Sequence, residues 1–539
     1  MRRGQAARVP EEGTTPEPSA RDVRGGTIGP AYANYMLGVL VLVYVFNFLD
    51  RQIISILAER IKHDLGVGDG EIGFLYGTAF AVFYAVFGIP LGRLADVWDR
   101  RRLIALGLGF WSVMTALSGL ARSFTHLAAA RIGVGIGEAS ASPSAFSLLS
   151  DLFPASRRAT VLAIYSSGIY LGAGLGLFIG GLIVDRWDLA YAGTEAPFGL
   201  RGWQVAFLAV GLPGLLLALW VATLREPVRG ALDGIETPPE PNPWREFARE
   251  LRAVVPPFTL AHLLAERAGP RVVTTNVLSA VAIAAGATLL WWLLGTPAQW
   301  IALGIGLYAA VSWAQALALR DRPAFALILR TPTLRDANLG FSFLAFTGYG
   351  VGFWLAPFLI RVHGVSEAEV GLVLGGTSAV AGWLGVTFGG VLADRWRATH
   401  ADGRLRVGMV TALVPVPLAL ALLFTESTWL VYVLSFPLSL TTSLWIGPGA
   451  STVQDLVLPR MRASASAAYL LVVTFIGLAL GPYTIGRLSV ALGDLRLAMA
   501  LGLVANLAGA FFLWRAMRTL ERDQGSMLKR ARDLGESGI

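Results

Sequence analysis

The 539-residue chain contains no cysteine and only two lysines, Lys62 and Lys529, and charged residues make up only 15% of it. The absence of cysteine excludes structural disulfides, thiol catalysis and cysteine-ligated metal sites. The histidines show no ligand-like spacing, so we expect neither a metal centre nor a cofactor; they are His63, His126, His262, His363 and His400. The near-exclusive use of arginine among the basic residues indicates a GC-rich bacterial genome.

Hydrophobic residues are abundant instead, at 55% of the chain, and the mean hydropathy is +0.59. A soluble protein of this length needs more polar residues to cover its surface. A helix that crosses the bilayer needs about 20 apolar residues. Six such segments are predicted at 33–58, 71–94, 103–121, 127–151, 158–182 and 202–223. Two more are predicted at 272–294 and 299–319, and a last six at 336–361, 367–392, 405–424, 428–452, 463–487 and 495–516.

These segments predict an all-α membrane protein with fourteen transmembrane helices, arranged as two six-helix bundles plus two inserted helices. The predicted regions are a disordered cytoplasmic tail (1–30), an N-terminal bundle (31–225), a cytoplasmic linker with an amphipathic helix lying on the membrane (226–271), an inserted two-helix hairpin (272–320), a C-terminal bundle (321–518) and a cytoplasmic C-terminal tail (519–539). A re-entrant or interfacial hairpin is the alternative for the inserted pair.

Basic residues support this topology. With the N-terminus inside, 34 of the 44 Arg and Lys residues lie in loops and tails on the cytoplasmic side, and 8 lie on the other side. The positive-inside rule demands such an asymmetry. We therefore expect an integral protein of a bacterial inner membrane with both termini in the cytoplasm.

An internal repeat relates the two halves. The sequence GIPLGRLADVWDRRR at 88–102 resembles TFGGVLADRWRA at 387–398, and DLFPASRRATVLAIY at 151–165 resembles DLVLPRMRASASAAY at 455–469. The members of each pair occupy equivalent positions in their six-helix sets. A six-plus-six repeat with a cavity between its halves is typical of transporters.

The first of these stretches resembles the signature of the major facilitator superfamily. We expect Gly92 to permit close helix packing at a cytoplasmic gate and Asp96 to pair across the bundles. The predicted gate residues are Gly92, Asp96, Arg100, Arg101, Asp394 and Arg395. The family's usual motif has glycine where this chain has Asp99, so we expect a differently built turn.

Away from the ends of the predicted spans, four charged residues remain: Asp50, Arg51, Arg131 and Glu138. Burying each in hydrocarbon costs several kcal/mol, so such groups normally line cavities or pair. Neighbours on a helix point about 100° apart, so Asp50 and Arg51 should each face another partner. Arg131 and Glu138 are seven residues apart and share a helix face. The four predict one charged site in the N-terminal half.

The resemblance narrows to the Spinster family through LDR in the first helix, RIGVGIGEASASPSAFSLLSDLFPASRRA, WQVAFLAVGLPGLLLALWVATLREPVRG and GVGFWLAPFLIRVHG. Spinster proteins have twelve helices, so residues 272–319 are a departure. The resemblance implies that Asp50, Arg51 and Glu138 take part in proton coupling and substrate binding. It also implies a monomer.

The C-terminal half supplies aromatic and polar candidates for the cavity: Asn338, Tyr349, Trp354, Trp383, Trp445 and Gln454. No acidic residue interrupts its predicted spans at midplane. A cavity that is charged on one side and aromatic on the other suits an amphiphile. The alternative is that the tryptophans face lipid or belong to the interfacial belt.

The expected function is secondary active transport by alternating access, coupled to protons, of a small amphiphile such as a lysophospholipid, a sphingoid-like lipid or a lipophilic drug. A carrier of hydrophilic organic anions is the alternative within this class. A membrane-embedded lipid-modifying enzyme is the alternative from another class, but the chain shows no glycine-flanked serine elbow and no nucleotide loop. The expected partners are the substrate, protons and membrane lipids, with no nucleic acid.

Overall fold

The computed structural model describes residues 20–21, 23, 26–230, 232, 241–458 and 461–536. Most of the predicted N-terminal tail lies outside this part. Its described residues form a small antiparallel ribbon of β1 (Ala20–Arg21) and β2 (Thr27–Ile28), in which Ala20 pairs with Ile28. Nearly all the other described elements are helices.

The N-terminal half is built from eight α-helices. Proline at the start of α1 suits the first turn of a helix, and Gly66 ends it with a φ of +64°, a conformation that favours glycine. The helices are α1 (Pro30–Leu65), α2 (Asp69–Tyr76), α3 (Thr78–Val97), α4 (Arg100–Ser118), α5 (Phe124–Glu138), α6 (Ala141–Leu152), α7 (Ala155–Ala190) and α8 (Gly202–Ala222), with a 3₁₀ turn at Pro197–Gly199.

The middle of the chain contains α9 (Pro243–Val254), α10 (Phe258–Ala265), α11 (Pro270–Leu294), α12 (Pro297–Arg320) and α13 (Arg322–Leu329). The C-terminal half contains α14 (Pro332–His363), α15 (Glu367–Thr377), α16 (Trp383–Thr399), α17 (Gly403–Leu413), α18 (Pro415–Phe424), α19 (Thr428–Ser443), α20 (Ile446–Asp455), α21 (Arg462–Val472), α22 (Leu480–Leu492), α23 (Leu495–Gly502) and α24 (Val504–Asp533). Two π-helical turns, Ser378–Gly382 and Val473–Ala479, join α15 to α16 and α21 to α22.

Twelve helical segments of the described chain are long and apolar enough to cross a membrane. They include α11 and α12, the predicted inserted pair. The predicted third and fourth spans are helical but are not among the twelve. Helix α4 has only 19 residues and starts with three arginines, and the fourth span is divided into α5 and α6, of 15 and 12 residues. The structure therefore gives an all-helical membrane fold, and the count of fourteen spans stays a prediction.

The predicted C-terminal tail is largely helical, because α24 continues to Asp533.

A row of glycines on α7 packs against α1. A Cβ added at Gly176 would lie 2.7 Å from the Leu49 carbonyl oxygen, closer than real Cβ atoms approach a backbone. Glycine therefore lets these two helices lie side by side, next to the charged residues of α1.

The inserted helices lie beside the junction of the halves. On α12, a Cβ at Gly306 would meet Val82 of α3 at 2.8 Å and Phe475 of the second π-helical turn at 2.7 Å. At the far end of the hairpin, Arg487 donates a hydrogen bond of 2.7 Å to the Leu294 carbonyl. The hairpin thus contacts both halves.

Helix α9 packs against α3 and α12. Its buried residues Ala253 and Val254 join a cluster with Val82 and Val86 of α3. The apolar face of the predicted amphipathic helix is therefore covered by α3 and α12, and its arginines face outward.

The halves contact each other at the face predicted to be outer. Ser55 of α1 donates a hydrogen bond of 2.6 Å to the Phe353 carbonyl of α14, and Thr78 donates one of 2.9 Å to the Ala479 carbonyl. Among the described residues, no hydrogen bond or ion pair joins α1–α8 to α14–α24 at the predicted cytoplasmic face. The polar contacts between the described parts of the two halves thus close the molecule at the predicted outer face.

Candidate functional site

The four charged residues of the predicted spans form two ion pairs between α1 and α5. Arg51 Nε donates to Glu138 Oε2 at 2.6 Å, and Arg131 Nη1 lies 3.6 Å from Asp50 Oδ1. The Asp50 carboxylate also accepts a hydrogen bond from the Thr115 hydroxyl of α4. Neighbours on α1 thus face different partners, as their angular separation on the helix predicts.

Burial distinguishes the two pairs. The side chains of Arg131 and Glu138 have no exposed surface and that of Asp50 is 3% exposed, whereas that of Arg51 is 15% exposed. The exposed fraction makes Arg51 the accessible member of the cluster. A charge in a low-dielectric interior persists only when it is paired, so each ion depends on its partner.

Aromatic rings surround the Arg51 guanidinium. Its Cζ lies 4.7 Å from the ring centroid of Phe48, 4.4 Å from that of Phe80 and 4.7 Å from that of Tyr84. Cations are attracted to the faces of such rings at these distances. The rings hold the guanidinium while leaving part of its surface open to a ligand.

Several polar atoms of the cluster have no hydrogen-bond partner among the described residues. They are Asp50 Oδ1, Glu138 Oε1, Arg131 Nε and Arg131 Nη2. Buried polar groups in folded proteins are almost always satisfied, so each exception needs an explanation. The free carboxylate oxygens give this cluster the capacity to accept a proton or a ligand donor.

The six candidates of the C-terminal half do not line one cavity. Trp354 is completely buried and donates a hydrogen bond of 2.8 Å to the Pro482 carbonyl, so it belongs to the packing of α14 against α22. Trp445 is buried and stacks on Phe341, with centroids 6.3 Å apart. Trp383 is 49% exposed.

The three polar candidates differ in position. Gln454 is exposed near the end of α20. Asn338 is 7% exposed on α14, and its Oδ1 lacks a described partner. Tyr349 is half-buried about three turns further along the same face of α14, within electrostatic reach of Arg51. Asn338 and Tyr349 therefore remain as the candidates that α14 contributes.

The predicted gate arginines bind within the N-terminal half. Arg100 is fully buried; its Nε donates to Glu226 at 2.7 Å, and its Nη1 donates to Asp151 and, at 2.8 Å, to Ser147. Arg101 donates to the Leu224 carbonyl at 2.7 Å. These contacts join the start of α4 to the ends of α6 and α8.

Two expectations for the gate are not met in this conformation, and the assignment of the gate residues stays a prediction. Asp96 is exposed and has no ion pair within 4.0 Å among the described residues, so it does not pair across the bundles here. A Cβ at Gly92 would meet only Pro143, at 4.0 Å, so close packing does not require glycine here. In the C-terminal half, Asp394 and Arg395 are both exposed.

Asp99, where the family motif has glycine, caps helix α4. Its carboxylate accepts from the Arg102 backbone N–H at 2.9 Å and from the Arg101 side chain at 2.9 Å. Burial raises the pKa of Asp99, but these hydrogen bonds outweigh it and the pKa is lowered. An aspartate at an N-cap accounts for this departure.

Sequence reasoning missed the acid partners of the gate arginines. In the C-terminal half, Arg404 pairs with Asp455, and Arg397 lies 3.2 Å from the same carboxylate. The Arg100–Asp151 pair has the same sequence separation as Arg404–Asp455. Both aspartates begin the second repeated stretch, DLF and DLV, so the repeat carried the signal.

A network at the predicted outer face was also missed. Arg361 of α14 binds Asp69 of α2 in bidentate fashion, at 2.7 and 2.9 Å, and Glu59 of α1 at 2.6 Å. Lys62 lies 2.6 Å from Asp69, and Ser489 donates to it at 2.7 Å. A bidentate arginine fixes geometry as well as charge, so this network holds the halves together. Its residues come from separate helices, so no local sequence pattern predicts the network.

Comparisons with known proteins agree with this geometry. The sequence model of the Major Facilitator Superfamily matches residues 40–312 and 337–534. An MFS-type efflux pump of Mycolicibacterium smegmatis is 30% identical over 92% of this chain and 95% of its own length. Protein spinster homolog 1 of Xenopus tropicalis is 25% identical over 92% of this chain and 83% of its own. These likenesses support the Spinster resemblance.

A solved structure of similar fold is that of a bacterial homolog to the human lysosomal transporter Spinster, in an inward-facing and occupied conformation. It shares 26% sequence identity and a TM-score of 0.68, covering 92% of this chain and 99% of that one. A probable L-galactonate transporter of Escherichia coli is 29% identical over 37% of this chain and 41% of its own length. The first match covers the whole fold, and the second only part of it.

We predict that Arg51→Gln destabilises the protein by about 3–5 kcal/mol, because it leaves the Glu138 carboxylate buried without its partner. The double variant R51Q/E138Q replaces the ion pair by two neutral amides and should recover most of that loss. Unfolding in detergent measures both. The control is R406Q, which breaks an exposed pair with Asp402 and should cost about 0–1 kcal/mol. A loss in R51Q no larger than in R406Q would contradict the prediction.

Proposed function

Because this chain belongs to the major facilitator superfamily and resembles its Spinster branch, we propose that it is a proton-coupled transporter that moves a small amphiphile by alternating access. It is a transporter and not an enzyme, and the relatives named above are transporters too. The observation that carries the proton coupling is the buried Arg51–Glu138 pair beside Asp50–Arg131.

The coupling step follows from the geometry. In this outer-closed state, Arg51 holds Glu138 as a carboxylate at 2.6 Å. A proton on Glu138 would cancel that charge and weaken the contact. Arg51, the partly exposed member, would then be free to move toward a substrate or toward Tyr349 of the other half. Protonation would thereby bias the equilibrium between two conformations.

The gates supply the two alternating closures. The Arg361–Asp69 network closes the predicted outer face here. The exposed residues Asp96, Asp394 and Arg395 are free in this state to meet the opposite bundle when the other face closes. The buried pair of Arg100 and the half-buried pair of Arg404 keep each half rigid during this movement.

An amphiphile fits the composition of the site. Arg51 offers a charge for a polar head, and Phe48, Phe80 and Tyr84 around it offer apolar surface. The efflux pump of similar sequence favours export as the direction of transport. A hydrophilic organic anion is the second candidate, favoured by the likeness to the probable L-galactonate transporter and by two arginines in the site.

The finer topology is also part of this proposal: fourteen spans, with α11 and α12 crossing fully, both termini in the cytoplasm, and a monomer in a bacterial inner membrane. We expect a membrane-impermeant maleimide to label Leu294→Cys in whole cells and Ala401→Cys only after permeabilisation. The chain has no cysteine of its own, so the background is clean. Leu294→Cys that reacts only after permeabilisation would favour a re-entrant hairpin.

We predict that Asp50→Asn and Glu138→Gln abolish uptake driven by a pH gradient in proteoliposomes, because neither amide can carry a proton. Counterflow of substrate, which needs no net proton movement, should persist and shows that the variants are folded. The control is Asp402→Asn at the surface, which should leave driven uptake unchanged. Normal gradient-driven uptake by both variants would sink the coupling proposal.

We predict that lysophospholipids compete for transport and raise the melting temperature, while sugar acids do neither. A bound ligand stabilises the folded state in proportion to its affinity. Arg51→Gln should remove the shift, since it takes away the partly exposed charge of the site. A shift with sugar acids alone would favour the organic-anion candidate.

A further inference from the structure

A groove lies between α9 and α10 on the predicted cytoplasmic face, apart from the residues assigned to transport. It has a volume of about 820 Å³. The residues that give it its chemistry are Arg245, Arg249, Arg252, Phe258, His262 and Glu266.

The groove has a surplus of positive charge. Arg249 donates to Glu266 at 2.8 and 3.2 Å, and this hydrogen bond lowers the pKa of Glu266, so the two charges cancel. Burial lowers the pKa of His262, which is therefore neutral at pH 7. Arg245 and Arg252 are exposed and have no ion pair within 4.0 Å in the described part of the chain.

The remaining acid of the groove is directed elsewhere. Glu246 Oε2 lies 3.8 Å from Arg93 Nη2 of α3. The guanidinium groups of Arg245 and Arg252 are thus left without an anion. They lie seven residues, or about two helical turns, apart on the outward side of α9.

The position of the groove brings it to the membrane surface. Helix α11, which is apolar enough to span a membrane, begins at Pro270, shortly after α10 ends at Ala265. Phe258 of α10, which lines the groove, is 52% exposed. The groove therefore places free arginines beside an exposed apolar side chain at the depth where a helix enters the bilayer.

We propose that this groove binds the headgroup of an anionic phospholipid, with its phosphate between Arg245 and Arg252 and its acyl chains along Phe258. Basic pockets on the cytoplasmic side of membrane helices recognise such headgroups by charge. Water-soluble anions would use the arginines but gain nothing from the apolar rim.

A lipid bound in the groove would contact α9, which in turn packs on the N-terminal bundle. The opposite side of α9 packs on α3, where Trp244 lies 4.9 Å from Trp98, ring centroid to centroid. A lipid that holds α9 in place thereby also supports the end of α3 next to the gate residue Asp96.

The test is a titration of the purified full-length protein with phosphatidylglycerol and with phosphatidylcholine, with bound lipid read by native mass spectrometry. Each basic group near an anionic headgroup contributes about a factor of five to binding. R245Q/R252Q should therefore bind phosphatidylglycerol about 25-fold more weakly, each single substitution about fivefold more weakly, and R245K/R252K nearly normally.

The matched control is R267Q/R271Q, which removes the same charge from exposed positions just outside the groove and should leave binding within about twofold. Equal losses in the two double variants would indicate diffuse attraction and overturn the proposal. Undiminished binding by R245Q/R252Q, or displacement of the lipid by an equal concentration of glycerol 3-phosphate, would overturn it too. The readout is lipid binding, so the result does not depend on the proposed transport activity.

Discussion

The ion pair between Arg51 and Glu138 is the constraint on which the rest of this structure depends. A carboxylate without exposed surface in a membrane-embedded bundle needs a cation at contact distance, and Arg51 provides it at 2.6 Å. To do so, α1 must lie close to α5, and Asp50, the next residue on α1, must find its own partner in Arg131. The Phe80 ring lies near both arginines and separates the two pairs. The electrostatics of the N-terminal half are therefore a single coupled unit.

The closure at the predicted outer face has a different origin. There, small residues allow backbones to approach, and exposed ions then lock the contact. A Cβ at Gly371 of α15 would lie 2.5 Å from the Leu177 carbonyl oxygen, and one at Gly73 of α2 would lie 2.6 Å from the Pro482 carbonyl oxygen. Asp69 at the centre of the ion network at this face is buried, but Arg361, Lys62 and Glu59 are 29%, 20% and 22% exposed, so water can reach these ions as the face opens. A contact of this kind suits a gate that opens.

Much of this was predictable from the sequence, for identifiable reasons. Charged residues are so costly within apolar helices that four of them at related depths had to meet, and they do. The repeat likewise predicted equivalent positions, and Asp151 and Asp455 proved to hold equivalent arginines. The aromatic candidates failed because tryptophan serves core, cavity and lipid interface equally well, so Trp354 and Trp383 could not be told apart by residue type. The partners of Asp69 and Glu226 could not be found either, because pairing between residues far apart in the sequence depends on tertiary packing that no local pattern records.

The central claim is that protonation of the buried cluster controls the closure of the predicted outer face. Ala192 and Glu426 are exposed at that face in opposite halves. Spin labels attached at Ala192→Cys and Glu426→Cys would report the distance between these positions by pulsed electron paramagnetic resonance across a range of pH. The account predicts a longer distance at low pH, because a proton on Glu138 removes the pair present in the closed state, and no pH response when Asp50→Asn and Glu138→Gln are added. The same pH-dependent shift in that quadruple variant would contradict the account.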